Sequence, residues 1–268
     1  MCGIVGYTGN NACTDILVEA LSKLEYRGYD SAGIAVFEDD RIETIKAKGK
    51  IKEGLEVKLS ETGGLTAVSG IGHTRWATHG EPSDINSHPH GNKRVSVVHN
   101  GIIENYRRIK EFLTSKGYTF DSETDTETVA KLLDYHYDGD PVGTIIRVLA
   151  EIEGSYAIGI IFRDFPNRVY AVRKDSPLIV GVGNNENFIA SDVPAILKYT
   201  REYYLLEEGE IAILEAGKVR FCDIHSLRHL HASLLINAGI DVVAVSGDMG
   251  HSEVSTTLNL YSHMFQEA

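Results

Sequence analysis

Met1-Cys2-Gly3-Ile4-Val5-Gly6-Tyr7 opens the chain, and the reading of everything else turns on it. Ile4 to Tyr7 is an apolar run of strand length, with a cysteine just ahead of it. If Met1 is removed, Cys2 carries both a thiol nucleophile and a free α-amine that serves as its base, whereas an internal cysteine needs a borrowed histidine. An α-amine titrates near pH 8, roughly two units below a lysine, so it accepts a proton at neutral pH. Met-Cys-Gly alone is an ordinary start, so the nucleophile reading depends on what the rest of the chain supplies.

Composition limits the classes available. The chain has 268 residues, 43% of them hydrophobic, and a formal net charge of -12. Such a charge opposes loose binding to DNA or to anionic membranes, both of which need a basic surface. No apolar run is long enough to span a bilayer. No basic segment leads into an apolar one at the start, so no signal peptide is expected. The three cysteines, Cys2, Cys13 and Cys222, lack CxxC spacing and cannot all pair. A reduced, cytoplasmic protein is expected, with no membrane partner and no nucleic-acid partner.

Hydrophobic pattern gives a coarse map. Thr14 suits the cap of a helix with Ile16, Leu17, Ala20, Leu21 and Leu24 on one face. Ile34 to Phe37 and Val95 to His99 read as strands. Thr124 and Glu127 have capping-box spacing ahead of a stripe of Val129, Leu132 and Leu133. Val142, Ile145, Ile146, Leu149 and Ile152 make a second helical stripe. Strands then crowd together at Tyr156 to Phe162, Val169 to Arg173, Leu178 to Val182, Phe188 to Ala190, Ile211 to Leu214 and Val219 to Cys222. Helices in pairs between runs of strands predict sheets covered by helices, an α+β layered domain. Beyond Asp223 the texture becomes helical and histidine-rich, so a boundary is placed there: one domain at 1–222 and a helical tail at 223–268.

Three loop-like stretches offer partners for Cys2. Gly72-His73-Thr74-Arg75-Trp76-Ala77-Thr78-His79-Gly80 sets a guanidinium beside an indole, and a planar Arg fork suits a carboxylate. Asn100-Gly101 follows the Val95 to Val98 strand, and a side-chain amide with a backbone N–H makes an uncharged oxyanion hole. Asp125 stands at a helix start and accepts an ammonium. These groups describe a pocket for a zwitterion beside a thiol, such as an amino acid with a side-chain carbonyl. Each also has a plain alternative. Arg75-Trp76 suits a surface cation–π pair, Asn-Gly suits a hairpin turn, and Asp125 suits a simple helix cap.

Longer motifs carry a family resemblance. Met1 to Gly6, Leu24-Glu25-Tyr26-Arg27-Gly28-Tyr29-Asp30-Ser31-Ala32-Gly33, His73 to Gly80, His88-Pro89-His90, His99 to Asn105 and Ser122 to Glu127 stand in one order and spacing. Over residues 2–222 the chain resembles the glutaminase domain of the glutamine:fructose-6-phosphate amidotransferase (glucosamine-6-phosphate synthase) family. That resemblance implies an N-terminal-nucleophile hydrolase, a four-layer α/β/β/α sandwich. It implies Cys2 as nucleophile with its α-amine as base, and Asn100 and Gly101 as oxyanion donors. Arg75 would clamp the α-carboxylate of L-glutamine and Asp125 its α-ammonium. Trp76, Thr78 and His79 match a loop over the substrate, Arg27 a position beside the nucleophile, and His88 one near the boundary with the sugar-binding half. The implied chemistry runs through a γ-glutamyl thioester to glutamate and ammonia, with no cofactor and no metal.

The family's second half, a pair of sugar-isomerase subdomains, has no counterpart among the residues after Cys222, which are too few to hold it. In its place, His225 to Leu235, Gly239, Gly250-His251-Ser252 and Tyr261-Ser262-His263 resemble the C-terminal end of tyrosine recombinases (phage integrases). By that resemblance His225 and Arg228 match an active-site His-x-x-Arg, His251 a later histidine and Tyr261 the nucleophile. The remaining recombinase groups and a basic DNA surface are absent, so recombination is not expected. Two or three short helices are expected there, packed loosely on the glutaminase domain or on another copy of the chain, with apolar surface seeking a partner. A DNA-binding module, or a self-association module making a homo-oligomer, acting through this tail is the alternative function.

Overall fold

The structure is a computed structural model that describes residues 2–76 and 80–223, together with positions 241, 243, 244, 246 and 254. Thr78, His79 and the recombinase-like positions His225, Arg228, His251 and Tyr261 lie outside the described residues, as does the expected run of tail helices. Backbone packing divides the chain into two units, Met1–Phe221 and Cys222–Ala268.

The elements follow in the order β1 (Gly3–Thr8), α1 (Cys13–Ser22), β2 (Ser31–Glu38), β3 (Arg41–Lys48), α2 (Leu55–Ser60) and β4 (Ser69–Arg75). Next come β5 (His90–Gly91), β6 (Val95–Ile103), α3 (Tyr106–Ser115), α4 (Asp125–His136), α5 (Pro141–Glu151), β7 (Gly154–Phe162) and β8 (Val169–Lys174). The last are β9 (Ile179–Val182), β10 (Asn187–Ala190), β11 (Glu202–Leu205), β12 (Glu210–Glu215) and β13 (Lys218–Asp223). Seven strands form one sheet in the order β11-β9-β10-β1-β4-β2-β3, and six form a second in the order β13-β12-β8-β7-β6-β5. The first strand of the chain is thus interior to its sheet, antiparallel to β4 on one side and β10 on the other.

Strands buried on both faces explain the long apolar runs. Ile4 of β1 and Ala35 of β2 point into a core shared with Val98, Ala157 and Ala171 of the other sheet. Their neighbours Val5, Tyr7, Ile34 and Val36 point the opposite way, against Ile16, Leu17 and Leu21 of α1. This period of two assigns alternate residues to two different cores. α1 packs on β1 and β4, and α2 on β3, while α4 lies on β6 with α3 and α5 against it. The layers are therefore helix, sheet, sheet, helix, the α/β/β/α sandwich that the family resemblance implies.

Local details depart from expectation. Thr14 does not cap α1. The cap position is Ala12 with no side-chain bond, and Thr14 lies inside the helix with its Oγ1 buried. The Gly72 to Arg75 stretch is not a loop but the end of β4, buried at every position. Its apolar content is too low for a strand pattern, yet β1 and β2 flank it on both sides and satisfy its backbone. Asn100-Gly101 is no hairpin turn either, because β6 runs through it to Ile103 in register with β7.

Candidate active site

Cys2 precedes the first paired residue of β1, Gly3, whose partner is Thr74 near the end of β4. Antiparallel pairing therefore carries Arg75 and Trp76 back past the cysteine. The Trp76 N–H donates to Cys2 Sγ at 3.2 Å. That approach depends on Gly28, since a Cβ there would stand 2.7 Å from the Arg75 carbonyl carbon and 2.8 Å from the Trp76 nitrogen. Burial pushes the Cys2 thiol up, the Trp76 amide and the Arg75 charge draw it down, and the Asp30 charge adds to the rise. A thiol held above its ordinary range needs a base to become the nucleophile.

The second sheet brings the oxyanion candidates. Asn100 Nδ2 donates to the Cys2 carbonyl at 3.0 Å, a bond from one sheet to the other. An amide nitrogen carries two hydrogens, so one remains for a ligand. Gly101 follows at φ 132°, where an added Cβ would overlap the Ser155 carbonyl. Only glycine meets both conditions. Arg27, at the end of the short helical turn Glu25–Arg27, donates from Nε to the Cys2 carbonyl at 3.3 Å. Its Nη1 pairs with Asp192 at 2.7 Å.

The zwitterion groups flank this centre. Arg75 is buried, and its guanidinium donates to the carbonyls of Gly80 at 3.3 Å and Glu81 at 3.5 Å. Asp125 is the first residue of α4, and its Oδ2 accepts from the Ile103 N–H at 2.8 Å. Thr124 is the cap, accepting from the Glu127 N–H. The expected capping box is only half formed, because Glu127 turns to the N–H groups of Ser122 at 2.7 Å and Asp121 at 3.1 Å. That bend fixes the turn that presents Asp125.

A small cavity is lined by Cys2, Arg75, Trp76, His88, His99, Gly101, Thr124, Asp125 and Thr126. It gathers most of the residues proposed from sequence, with Asn100 and Arg27 adjoining through the Cys2 carbonyl. Trp76 is exposed and sets its ring edge-on to Tyr29, with centroids 5.4 Å apart, while Arg75 is buried and so does not make the surface pair. His88 is buried with its ring 4.2 Å from that of His73. His73, His88, His90 and His99 are all buried, and burial drives each below the ordinary histidine range, His73 to about 3. They are therefore neutral side chains. Among the described residues no group of three or more His, Cys, Asp or Glu side chains is placed to hold a metal ion.

Sequence reasoning passed over Asp30, Gly28 and His73. Asp30 and Gly28 were visible only as members of the Leu24 to Gly33 motif. His73 was likewise visible only as the first residue of the His73 to Gly80 motif; its burial inside a strand, where a polar group needs a partner, is known from the structure alone.

Comparison with known proteins bears on the domain and its fold. Residues 73–198 match the family described as glutamine amidotransferase domain. A glutamine--fructose-6-phosphate aminotransferase [isomerizing] of Caldanaerobacter subterraneus is 57% identical over 226 residues, covering 84% of this chain and 37% of that protein. The one of Clostridium tetani is 56% identical over 225 residues, covering 83% and 37%. The chain thus spans little more than a third of the length of these relatives. Among solved structures, a glutamine phosphoribosylpyrophosphate amidotransferase from B. subtilis aligns with a TM-score of 0.72 and 25% identity, over 83% of this chain and 49% of that one. A glutamine aminotransferase class-II domain protein from Silicibacter pomeroyi aligns with a TM-score of 0.60 over 99% of its own chain; at 13% identity that likeness shows the fold alone. The phage integrase family matches residues 208–268.

Proposed function

We propose that this chain, which carries a glutamine amidotransferase domain on the N-terminal-nucleophile fold, hydrolyses L-glutamine to L-glutamate and ammonia. One observation carries the reading: Cys2, Gly101, Arg75 and Asp125 line a single cavity. The Arg75 guanidinium binds the α-carboxylate and Asp125 the α-ammonium, which points the side-chain amide at Cys2. The α-amine of Cys2, freed by loss of Met1, takes the thiol proton as sulfur attacks the δ-carbon. Negative charge gathers on the carbonyl oxygen, where the second Asn100 Nδ2–H and the Gly101 N–H receive it. Such a donor is worth about 100- to 1,000-fold in kcat. Ammonia leaves with the proton returned by the amine, and water then cleaves the thioester. Trp76 and His88 line the pocket and Arg27 holds the Cys2 carbonyl; a substrate-binding role for Trp76, Thr78 and His79 is carried over from the family resemblance alone.

Glutamate release by the purified chain and by Cys2→Ala tests the assignment, with the intact mass measured alongside. Turnover by the first, its loss in the second and a mass lacking Met1 are expected; equal rates would overturn the reading. Amination of a sugar, named in the relatives, is not proposed for these residues, so the rate is expected not to change with fructose 6-phosphate.

The tail is a separate matter. The integrase match at residues 208–268 supports reading the tail, residues 223–268, as a recombinase-like fragment; that the fragment lacks strand-transfer activity and drives self-association is our proposal from the sequence alone. Light scattering of the whole chain over a concentration series tests this, and a monomer mass throughout would sink it. Duplex DNA titrated at low salt is expected to bring no retardation. A reducing, cytoplasmic setting is part of the same proposal, resting on the low cysteine count and the lack of CxxC spacing. Among the described residues no helix is long and apolar enough to cross a membrane.

A further inference from the structure

The histidine at position 73 has no part in the chemistry described above, yet its ring meets the oxyanion amide. His73 Nε2 lies 3.0 Å from Asn100 Oδ1 and 3.1 Å from the His99 carbonyl oxygen. A backbone carbonyl only accepts, so Nε2 must carry the hydrogen. The ring is neutral, which leaves Nδ1 bare; Nδ1 is buried without a hydrogen-bond partner. One N–H is therefore shared between a fixed carbonyl and the Asn100 side chain.

We infer that His73 is a positioning residue for glutamine hydrolysis: its Nε2–H locks the Asn100 amide in the orientation that aims Nδ2 at the nucleophile. The two ends of an Asn amide have nearly the same shape, and sterics alone do not choose between them. The choice here is made electrostatically. Turned by half a rotation, Asn100 would set its oxygen against the Cys2 carbonyl and its NH₂ against the His73 N–H, exchanging two hydrogen bonds for two repulsions. In that state the oxyanion would meet an oxygen. His73 is placed for this by β4, which pairs Ile4 of β1 with His73 and so carries the ring beside the nucleophile strand and across to β6. The inference rests on reading Asn100 as an oxyanion donor, and its test separates the two.

The test compares His73→Leu, which fills space without donating, and His73→Gln, which restores an N–H. Glutamine hydrolysis is measured in both and in an Asn100→Ala background. His73→Leu is expected to lower kcat about tenfold or more, with KM within about twofold, as for an interaction made in the transition state. His73→Gln recovers much of that loss. In the Asn100→Ala background His73→Leu changes little, because the group it acts through is gone. Binding of the γ-aldehyde analogue of glutamine, whose adduct with Cys2 places an oxygen in the same site, weakens in parallel with kcat, whereas glutamate binding does not. Additive losses, or equal loss from Leu and Gln, would overturn the inference. A readout free of activity is the ¹⁵N spectrum of the His73 ring, expected to show protonated Nε2 and bare Nδ1 from pH 5 to 8. The opposite tautomer would overturn the inference even in an active enzyme. An inactive wild type with the expected tautomer would sink the glutaminase reading instead.

Discussion

Gly101 is where backbone shape and chemistry meet most tightly. Its φ of 132° and the Ser155 carbonyl beside it exclude any side chain. Gly101→Ala is therefore expected to displace the backbone N–H proposed to face the oxyanion, cutting kcat by about 100-fold or more while the chain still folds. Steady-state kinetics paired with circular dichroism check this; an active variant would remove Gly101 from the oxyanion hole. Thiol chemistry gives a second expectation. Cys13 is buried at the start of α1, and burial pushes it up to about 12. Iodoacetamide at pH 8 is expected to leave Cys13 unmodified in the native protein while Cys2 reacts, as read by peptide mass mapping. At this scale the sequence named Cys2, Arg75, Asn100, Gly101 and Asp125, because each belongs to a distinctive run of neighbours. His73 escaped because its role lies in an atom-level contact with Asn100, which no spacing encodes.

Among the elements, α4 carries a pH-dependent link of its own. Glu127 is buried, which favours its neutral form, but the N–H groups of Asp121 and Ser122, the Ser122 hydroxyl and Lys131 outweigh burial and hold it below the ordinary range. A carboxylate depressed on folding contributes stability that is complete above its unfolded value, about 4.3, and is lost as pH falls through the folded one. Glu127→Gln is expected to lower the urea midpoint at pH 7, and the gap from wild type to narrow at pH 3. A constant gap would count against the link. Elements were legible where burial was two-sided. β1, β2 and β7 read as apolar runs because both faces pack. β3 and β11 did not, since β3 is an edge strand of Arg, Glu and Lys and every residue of β11 is exposed. α3 hid for a related reason: only Ile109 and Leu113 of its ten residues are buried.

In the whole molecule, two sheets meet across a core in which Ile71 is fully buried along with Ala35 and Val98. Ile71→Ala is expected to cost about 2–5 kcal/mol by denaturant unfolding. The layer order was legible from the alternation of strand runs and helix stripes; the strand order was not, because pairing of β1 with both β4 and β10 joins residues far apart in sequence. That order has a consequence for how the protein fails. The proposed nucleophile and the proposed oxyanion donors are carried by opposite sheets, bridged by the Asn100 to Cys2 hydrogen bond. A slip of one sheet over the other by an ångström would leave every strand ladder whole, and a far-UV spectrum would report an intact protein. Catalysis would already have gone, so loss of turnover should precede loss of ellipticity as denaturant rises.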